Sequence, residues 1–250
     1  MKIVTWNCGR GFAKKAERIF SGSPDIAVIQ ECSKKSTEVH GFEGYSGQWV
    51  GGVNLNIGMG VLHKSGWNLR PLVKTKESDP KWIVPFEVTG PENFTLIAVW
   101  ACEVKGNKRE SYVGQIHRAL REHPGWFENG PIVIAGDFNS NAIFDRGRRG
   151  WNHTSMVGEL KKFGLASAYH SLNKQEHGSE KEHTFYLNYK LEKPFHLDYI
   201  FAPEIWRERM RLEVGSHSDW LSLSDHCPLM MEISPASQEL VTDSRKSFDS

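Results

Sequence analysis

The chain has 250 residues, with 31 Lys and Arg against 30 Asp and Glu, for a formal net charge of +1. That length can bury a substantial core, in one large domain as readily as two, and the even charge balance by itself does not announce a nucleic-acid binder. The N-terminal segment carries Lys14, Lys15, Glu17 and Arg18 with no apolar stretch of signal-peptide type, and no run approaches membrane-spanning length, so a soluble, cytoplasmic protein without a membrane span is expected.

Read in chain order, the apolar runs Lys2–Trp6 and Ile26–Gln30 are strands flanking a helical pattern over Ala13–Phe20. The glycine-rich stretch Gly44–Gly60 reads as a hairpin with turn residues. A phosphate cradle would lead into a helix, whereas Gly58-Met59-Gly60-Val61-Leu62 runs into a strand, Gly58–His63. Strands follow at Trp82–Val88 and Phe94–Trp100, then a helix at Ser111–Glu122, a strand at Ile132–Ala135 and a helix at Thr154–Phe163 closed by Gly164. The remaining strands are His183–Tyr186, His196–Ala202, Arg211–Val214 and Pro228–Ile233. Many strands with few helices between them indicate an α/β sandwich more than an alternating parallel sheet. Residues 1–234 read as one catalytic domain, because the polar motifs draw on the first and last strands, and residues 235–250 as a polar, mobile tail. Cys8, Cys32, Cys102 and Cys227 show no CxxC spacing and suit small buried thiols kept reduced in the cytosol.

Polar groups stand at one end of several of these runs: Asn7 after the first strand, Glu31 after the second, Asp137 and Asn139 in Gly136-Asp137-Phe138-Asn139, and Asp225-His226 before the last. Asp198 adds a carboxylate within His196-Leu197-Asp198-Tyr199. Taken singly, each reads as a capping or turn residue; together they form an oxygen-rich set with one imidazole, suited to a hard cation such as Mg²⁺ or Mn²⁺. Glu31 is the expected principal ligand, with Asn7 beside it and Asp225 direct or through water, since Mg²⁺ keeps most of its waters. Asp198 and His226 read as a pair in which the carboxylate orients the imidazole and favours its protonated form. Either His226 or Asp137 could take the proton from water, and Asn139 could position water or a phosphoryl oxygen. The other imidazoles, His153, His170 and His177 among them, lack metal-ligand spacing and are expected on the surface or in packing.

The ordered series Trp6-Asn7, Gln30-Glu31, Gly136-Asp137-Phe138-Asn139, Leu197-Asp198-Tyr199 and Ser224-Asp225-His226 resembles the endonuclease/exonuclease/phosphatase superfamily over residues 2 to 233. The resemblance implies a four-layer α/β/β/α sandwich of two packed mixed sheets flanked by helices. It also implies Mg²⁺-dependent hydrolysis of phosphate esters, with Asp137 activating water, His226 stabilising the phosphate and Tyr112 contacting the scissile phosphate as in the AP-endonuclease pattern. Where several branches place a His after the Phe94–Val99 run, this chain has Trp100-Ala101-Cys102, which brings it nearer the exonuclease III-like branch. Against that, Gly9 stands where AP endonucleases often carry an Asp, and Thr184-Phe185-Tyr186 where they commonly have Thr-Phe-Trp.

Arg146, Arg148, Arg149 and Trp151 follow the Gly-Asp-Phe-Asn turn. They offer phosphate donors and an aromatic platform for nucleic acid, or else a solvated loop with one packing Trp. The leading expectation is a phosphodiesterase acting on DNA or RNA. Its rivals are a phosphatase or phosphodiesterase on a small phosphorylated metabolite, nucleotide or lipid headgroup, and a catalytically silent binding scaffold. The scaffold is disfavoured because it has no need of the whole acidic, amide and imidazole set.

Overall fold

A computed structural model of the protein describes residues 1–38, 43–72, 80, 82–145 and 150–235. Its strands are β1 (Lys2–Asn7), β2 (Ile26–Cys32), β3 (Tyr45–Gly51), β4 (Gly58–Lys64), β5 (Asn68–Pro71), β6 (Ile83–Thr89) and β7 (Phe94–Trp100) in the first half. The second half adds β8 (Ile132–Asp137), β9 (Leu165–Ser167), β10 (Phe185–Tyr186), β11 (Pro194–Phe195), β12 (Asp198–Pro203), β13 (Met210–Val214) and β14 (Leu229–Ile233). The helices are α1 (Ala16–Phe20), α2 (Lys34–Glu38), α3 (Val113–Glu122), α4 (His153–Lys162), α5 (Ala168–Asn173) and α6 (His217–Trp220).

Alternation along β1 shows why the layers form. Ile3 points into the core between two sheets, beside Val28, Val61, Leu96, Val133, Ile200 and Leu229. Val4 and Trp6 point the other way, against Ala16 and Ile19 of α1 and Trp220 of α6. On the far side Ile97, Ile134 and Phe201 pack outward against Val113 and Ile116 of α3 and Met156 and Leu160 of α4. Strands buried on both faces read as unbroken apolar runs, and each fully buried large side chain contributes about 1.5–3 kcal/mol.

Among the described residues, each of the two large sheets has six strands, in the orders β13-β14-β1-β2-β4-β3 and β5-β6-β7-β8-β12-β9. Both are mixed: β1 runs parallel to β2 and antiparallel to β14, and β8 runs parallel to β7 and antiparallel to β12. The C-terminal ends of β1, β2 and β8 therefore meet the start of β12 and the turn before β14, with Asp198 in register opposite Asp137. At Gly136 a Cβ would lie 1.9 Å from the Val99 carbonyl oxygen, so only glycine lets β8 approach β7 this closely just before Asp137.

Several expectations change. The hairpin of Gly44–Gly60 forms as β3 and β4. The edge strand β5 escaped the reading because it pairs on one side only and is short, polar and mostly exposed. The strand expected at His183–Tyr186 shrinks to Phe185–Tyr186 and pairs with Pro194–Phe195 outside both large sheets. The helix expected from Ser111 begins at Val113, because Tyr112 takes φ 55° and ψ −128°, which no α-helix admits. α2, α5 and α6 are too short for a 3.6-residue period to show. Of the expected tail, residues 236–250 lie outside the described residues.

Candidate active site

Asn7 ends β1 facing the space between the sheets, and its side-chain Nδ2 donates to Glu31 Oε1 at 3.2 Å and to Asp137 Oδ2 at 3.0 Å. One amide thus ties the ends of strands from both sheets together. Its Oδ1 accepts from the backbone N–H of Gly9 at 3.1 Å, in a turn where Gly9 has φ 55° and a Cβ would press to 3.1 Å from Ser224 Oγ. Glu31 itself takes φ 58° at a β-bulge, where the β2–β4 register shifts between Gln30 and Cys32. The bulge re-aims its carboxylate toward Asn7, and a left-handed Glu costs about 1–3 kcal/mol that the surrounding pairing must offset.

Asp137 is fully buried and accepts from the backbone N–H of Asn139 at 2.8 Å, from Asn139 Nδ2 at 2.9 Å and from Asn7. Asn139 makes both bonds by adopting φ 45°, a conformation that Asn tolerates better than most residues. On the neighbouring strand Asp198 Oδ2 meets His226 Nδ1 at 2.8 Å, both groups buried. Thr184 fixes that pair from behind. Its Oγ1 accepts from the backbone N–H of Leu197 at 2.9 Å and of Asp198 at 3.0 Å, and its carbonyl accepts from Cys227 N–H at 2.7 Å. Ser224 Oγ adds a bond to the Asn7 carbonyl at 2.8 Å and accepts from His226 N–H at 3.1 Å.

The electrostatics follow from burial and proximity. Burial raises the Asp137 carboxyl well above the ordinary carboxylate range, and the Asp198 charge raises it further, while His226 and the hydrogen bonds from Asn7 and Asn139 pull the other way. Burial alone would lower His226. The charge and hydrogen bond of Asp198 outweigh it, aided by Asp137 and Asp225, and lift the imidazole to about 9. The site therefore pairs a basic carboxylate with an imidazolium that stays charged at neutral pH.

Sequence reasoning placed Asn7, Glu31, Asp137, Asn139, Asp198 and His226 in one set, and the hydrogen bonds above join them into two linked groups. Asp225 is half-buried nearby; it and Glu31 both act on the ammonium of Lys15, which burial lowers and these carboxylates raise. Tyr112 is half-buried, its N–H donating to the Cys102 carbonyl at 3.1 Å. Trp151 rests on α3, stacked on His117 at 5.7 Å with the guanidiniums of Arg109 and Arg121 over its ring at 4.3 and 4.6 Å. Arg146, Arg148 and Arg149 lie outside the described residues. Thr184, Ser224 and Lys15 were not chosen as site residues. Their only signal is proximity to motifs, and it is the tertiary bonds that give them a role.

The profile of the Endonuclease/Exonuclease/phosphatase family matches residues 4–226. The chain belongs to this family. It is accordingly a phosphoric ester hydrolase. No curated protein sequence matches it. Among solved structures it is similar to a 3'-5' exonuclease from Neisseria meningitidis, with TM-score 0.68 and 16% identity over 94% of this chain and 100% of that one. It is also similar to an AP endonuclease from Leishmania major, with TM-score 0.67 and 16% identity over 94% of this chain and 88% of that one. A 3' phosphatase from Neisseria bound to product DNA hairpin matches with TM-score 0.63 and 15% identity over 94% and 99% of the two chains.

Members of the family typically depend on a divalent metal, and the donor set of this chain fits one. Glu31 Oε1 lies at the Asn7 amide, and Glu31 and Asp225 both act on Lys15, so oxygen donors stand beside the Asp137–Asp198–His226 group, whose ligand-type atoms lie within 4.8 Å of one another. Asp198 Oδ1 is buried with no hydrogen-bond partner, an unmet acceptor that a cation or a water bound to it would satisfy.

Proposed function

We propose that this enzyme is a Mg²⁺-dependent phosphodiesterase, with Mn²⁺ able to substitute, that hydrolyses phosphodiester bonds of DNA or RNA by in-line attack of an activated water. The observation carrying this reading is the Asn7–Asp137–Asn139 group facing the Asp198–His226 pair where strand ends of the two sheets meet. Glu31, Asn7 and Asp225 would hold the cation, which when bound supplies charge neutralisation on phosphoryl oxygens. Asp137, fixed by three hydrogen bonds and made basic by burial, accepts the proton of the attacking water. His226, held as an imidazolium through Nδ1, presents its Nε2–H to the phosphate. As the water oxygen bonds to phosphorus, the opposite ester P–O bond breaks and its electron pair leaves with the departing oxygen. Tyr112, Arg146, Arg148, Arg149 and Trp151 contact the substrate strand in this reading.

Similarity in fold to nucleases supports a nucleic-acid substrate. Similarity to a 3' phosphatase favours a second reading, in which terminal phosphomonoesters are also cleaved. The free thiols, three of the four buried, support a reducing, cytoplasmic location. No helix among the described residues is long and apolar enough to cross a membrane.

The deciding experiment is a panel of single-stranded DNA, abasic duplex, RNA, 3'-phosphorylated oligonucleotides, nucleotides and inositol phosphates with Mg²⁺ or Mn²⁺. Cleavage of an internal or terminal diester supports the reading. Turnover of inositol phosphates with none on oligonucleotides would replace it with a small-molecule phosphatase.

A further inference from the structure

The outer face of β12 carries a second buried polar cluster that the hydrolytic site does not use. His153 from α4, His170 from α5, His177 and Glu180 from the segment after α5, and His196 before β12 gather around Tyr199. Ring centroids of His153 and His196 lie 5.1 Å from it, and that of His177 5.8 Å. His153, His170 and His196 are buried, and the Glu180 side chain is only 5% exposed.

One hydrogen bond fixes a proton, and the others set the partners of each ring. His196 Nδ1 meets the Glu182 carbonyl at 2.8 Å and must donate to it, which leaves Nε2 as a lone pair; that atom is buried with no partner. His170 Nδ1 meets Ser167 Oγ at 2.8 Å, and its Nε2 faces Glu180 Oε1 at 3.0 Å. His177 Nδ1 meets His153 Nε2 at 2.8 Å, and His153 Nδ1 meets Ser140 Oγ at 3.2 Å. Glu180 Oε1 also accepts from Gly178 N–H at 3.0 Å and from Asn141 Nδ2 at 2.9 Å. His170 meets Ser167 Oγ through Nδ1 and Glu180 Oε1 through Nε2, so a cation bound at its Nε2 would take the place of the proton that joins it to the carboxylate. Histidines whose second nitrogen donates to an outer partner, and a carboxylate held by its own donors, are the supports that orient ligands around a metal.

We propose that His170, His177 and Glu180 form a site for a zinc-class divalent cation, beside a His196 ring whose Nε2 has no partner. Ligand-type atoms of the first three lie within 4.8 Å of one another. Bonds of about 2.0–2.1 Å in a tetrahedron put ligand atoms roughly 3.3 Å apart, close to the His170–Glu180 spacing. The nitrogen-rich set selects a borderline cation over Mg²⁺, which separates it from the oxygen-rich centre on the other face of the strand. The rings of His170 and His177 now lie 3.5 Å apart and 13° from parallel, so their in-plane lone pairs run side by side. Loading turns His177, which is less buried than the other three imidazoles. A bound ion would clamp the segment leading into Thr184, and through it the backbone of Asp198. The proposal is independent of which phosphate ester the enzyme cleaves.

The test is calorimetric titration of the chelator-stripped full chain with Zn²⁺ in excess Mg²⁺, alongside the visible absorption of added Co²⁺. The comparison uses His177→Asn, Glu180→Gln and Glu31→Gln, with folding checked by circular dichroism. Wild type and Glu31→Gln should bind one equivalent of Zn²⁺, show tetrahedral Co²⁺ bands and gain thermal stability with Zn²⁺. His177→Asn and Glu180→Gln should lose the bands and bind at least about tenfold more weakly. Should Glu180→Gln fail to fold, His177→Asn decides alone. Identical Zn²⁺ binding in wild type and His177→Asn, or its loss in Glu31→Gln only, would overturn the site and leave a proton-bridged His170–Glu180 pair.

Discussion

The two faces of β12 carry two polar clusters of opposite character. On the inner face Asp198, Asp137 and His226 concentrate negative charge around one imidazolium, and a carboxylate oxygen has no hydrogen-bond partner. On the outer face imidazoles bond one another and Glu180, around a tyrosine whose hydroxyl donates to the Ser140 and His196 carbonyls at 3.0 and 2.8 Å. Adjacent residues of a strand point to opposite sides, so Asp198 and Tyr199 serve different clusters with one backbone. The inner cluster lies beside half-buried Glu31 and Asp225, while the outer one sits beneath the helical layer. Each cluster keeps one buried polar atom without a partner, Asp198 Oδ1 on the inner face and His196 Nε2 on the outer, so what separates them is charge and access.

The largest break in that contrast is expected from His226→Ala. Steady-state kinetics on the best substrate of the panel should show a loss of about 10²–10⁴-fold in kcat with the far-UV spectrum unchanged. A loss under threefold would remove His226 from the phosphate. Glu31→Gln keeps shape and removes charge, so Mg²⁺ affinity by calorimetry and turnover should fall together. Unchanged Mg²⁺ binding would take Glu31 out of the principal ligand role.

Asp198→Asn sharpens the comparison through pH. Activity that needs the His226 imidazolium is held below its folded value of about 9 and falls as pH rises through it. Burial lowers that value and Asp198 raises it, so removing the Asp198 charge should move the alkaline fall to lower pH, with a smaller loss in kcat than His226→Ala. Combined with His226→Ala, the two changes should be non-additive if the residues act as a unit.

Thr184→Val retains volume but leaves the Leu197 and Asp198 N–H groups without their acceptor. Chemical denaturation should register a loss of about 1–3 kcal/mol for each buried unsatisfied group, and kcat should fall with KM nearly unchanged. The smallest effect is expected from Tyr199→Phe on the outer face. Losing its hydroxyl should cost on the order of 1 kcal/mol in stability and leave kcat as in wild type. A kcat loss matching that of Asp198→Asn would mean the two faces are coupled through the strand.

The sequence by itself determined the family, the two-sheet fold and the chemical type of the inner cluster. A buried strand shows as an apolar run, and Asn7, Glu31, Asp137 and His226 show because each interrupts polarity at the end of such a run. Local pattern carries that information since both the burial and the strand terminus are local. The tertiary structure alone decided the rest. Glu31 reaches Asn7 only through a bulge whose register is set by β4. Thr184 joins Asp198 to the His226 segment only because β12 and the turn before β14 pass on either side of it. His153, His170 and His177 show no metal-ligand spacing and fall by default to surface or packing, and His196 shows only as the start of a strand-like run. They converge because α4, α5 and β12 fold over one tyrosine, and contacts between residues far apart in sequence leave no periodic trace in the chain.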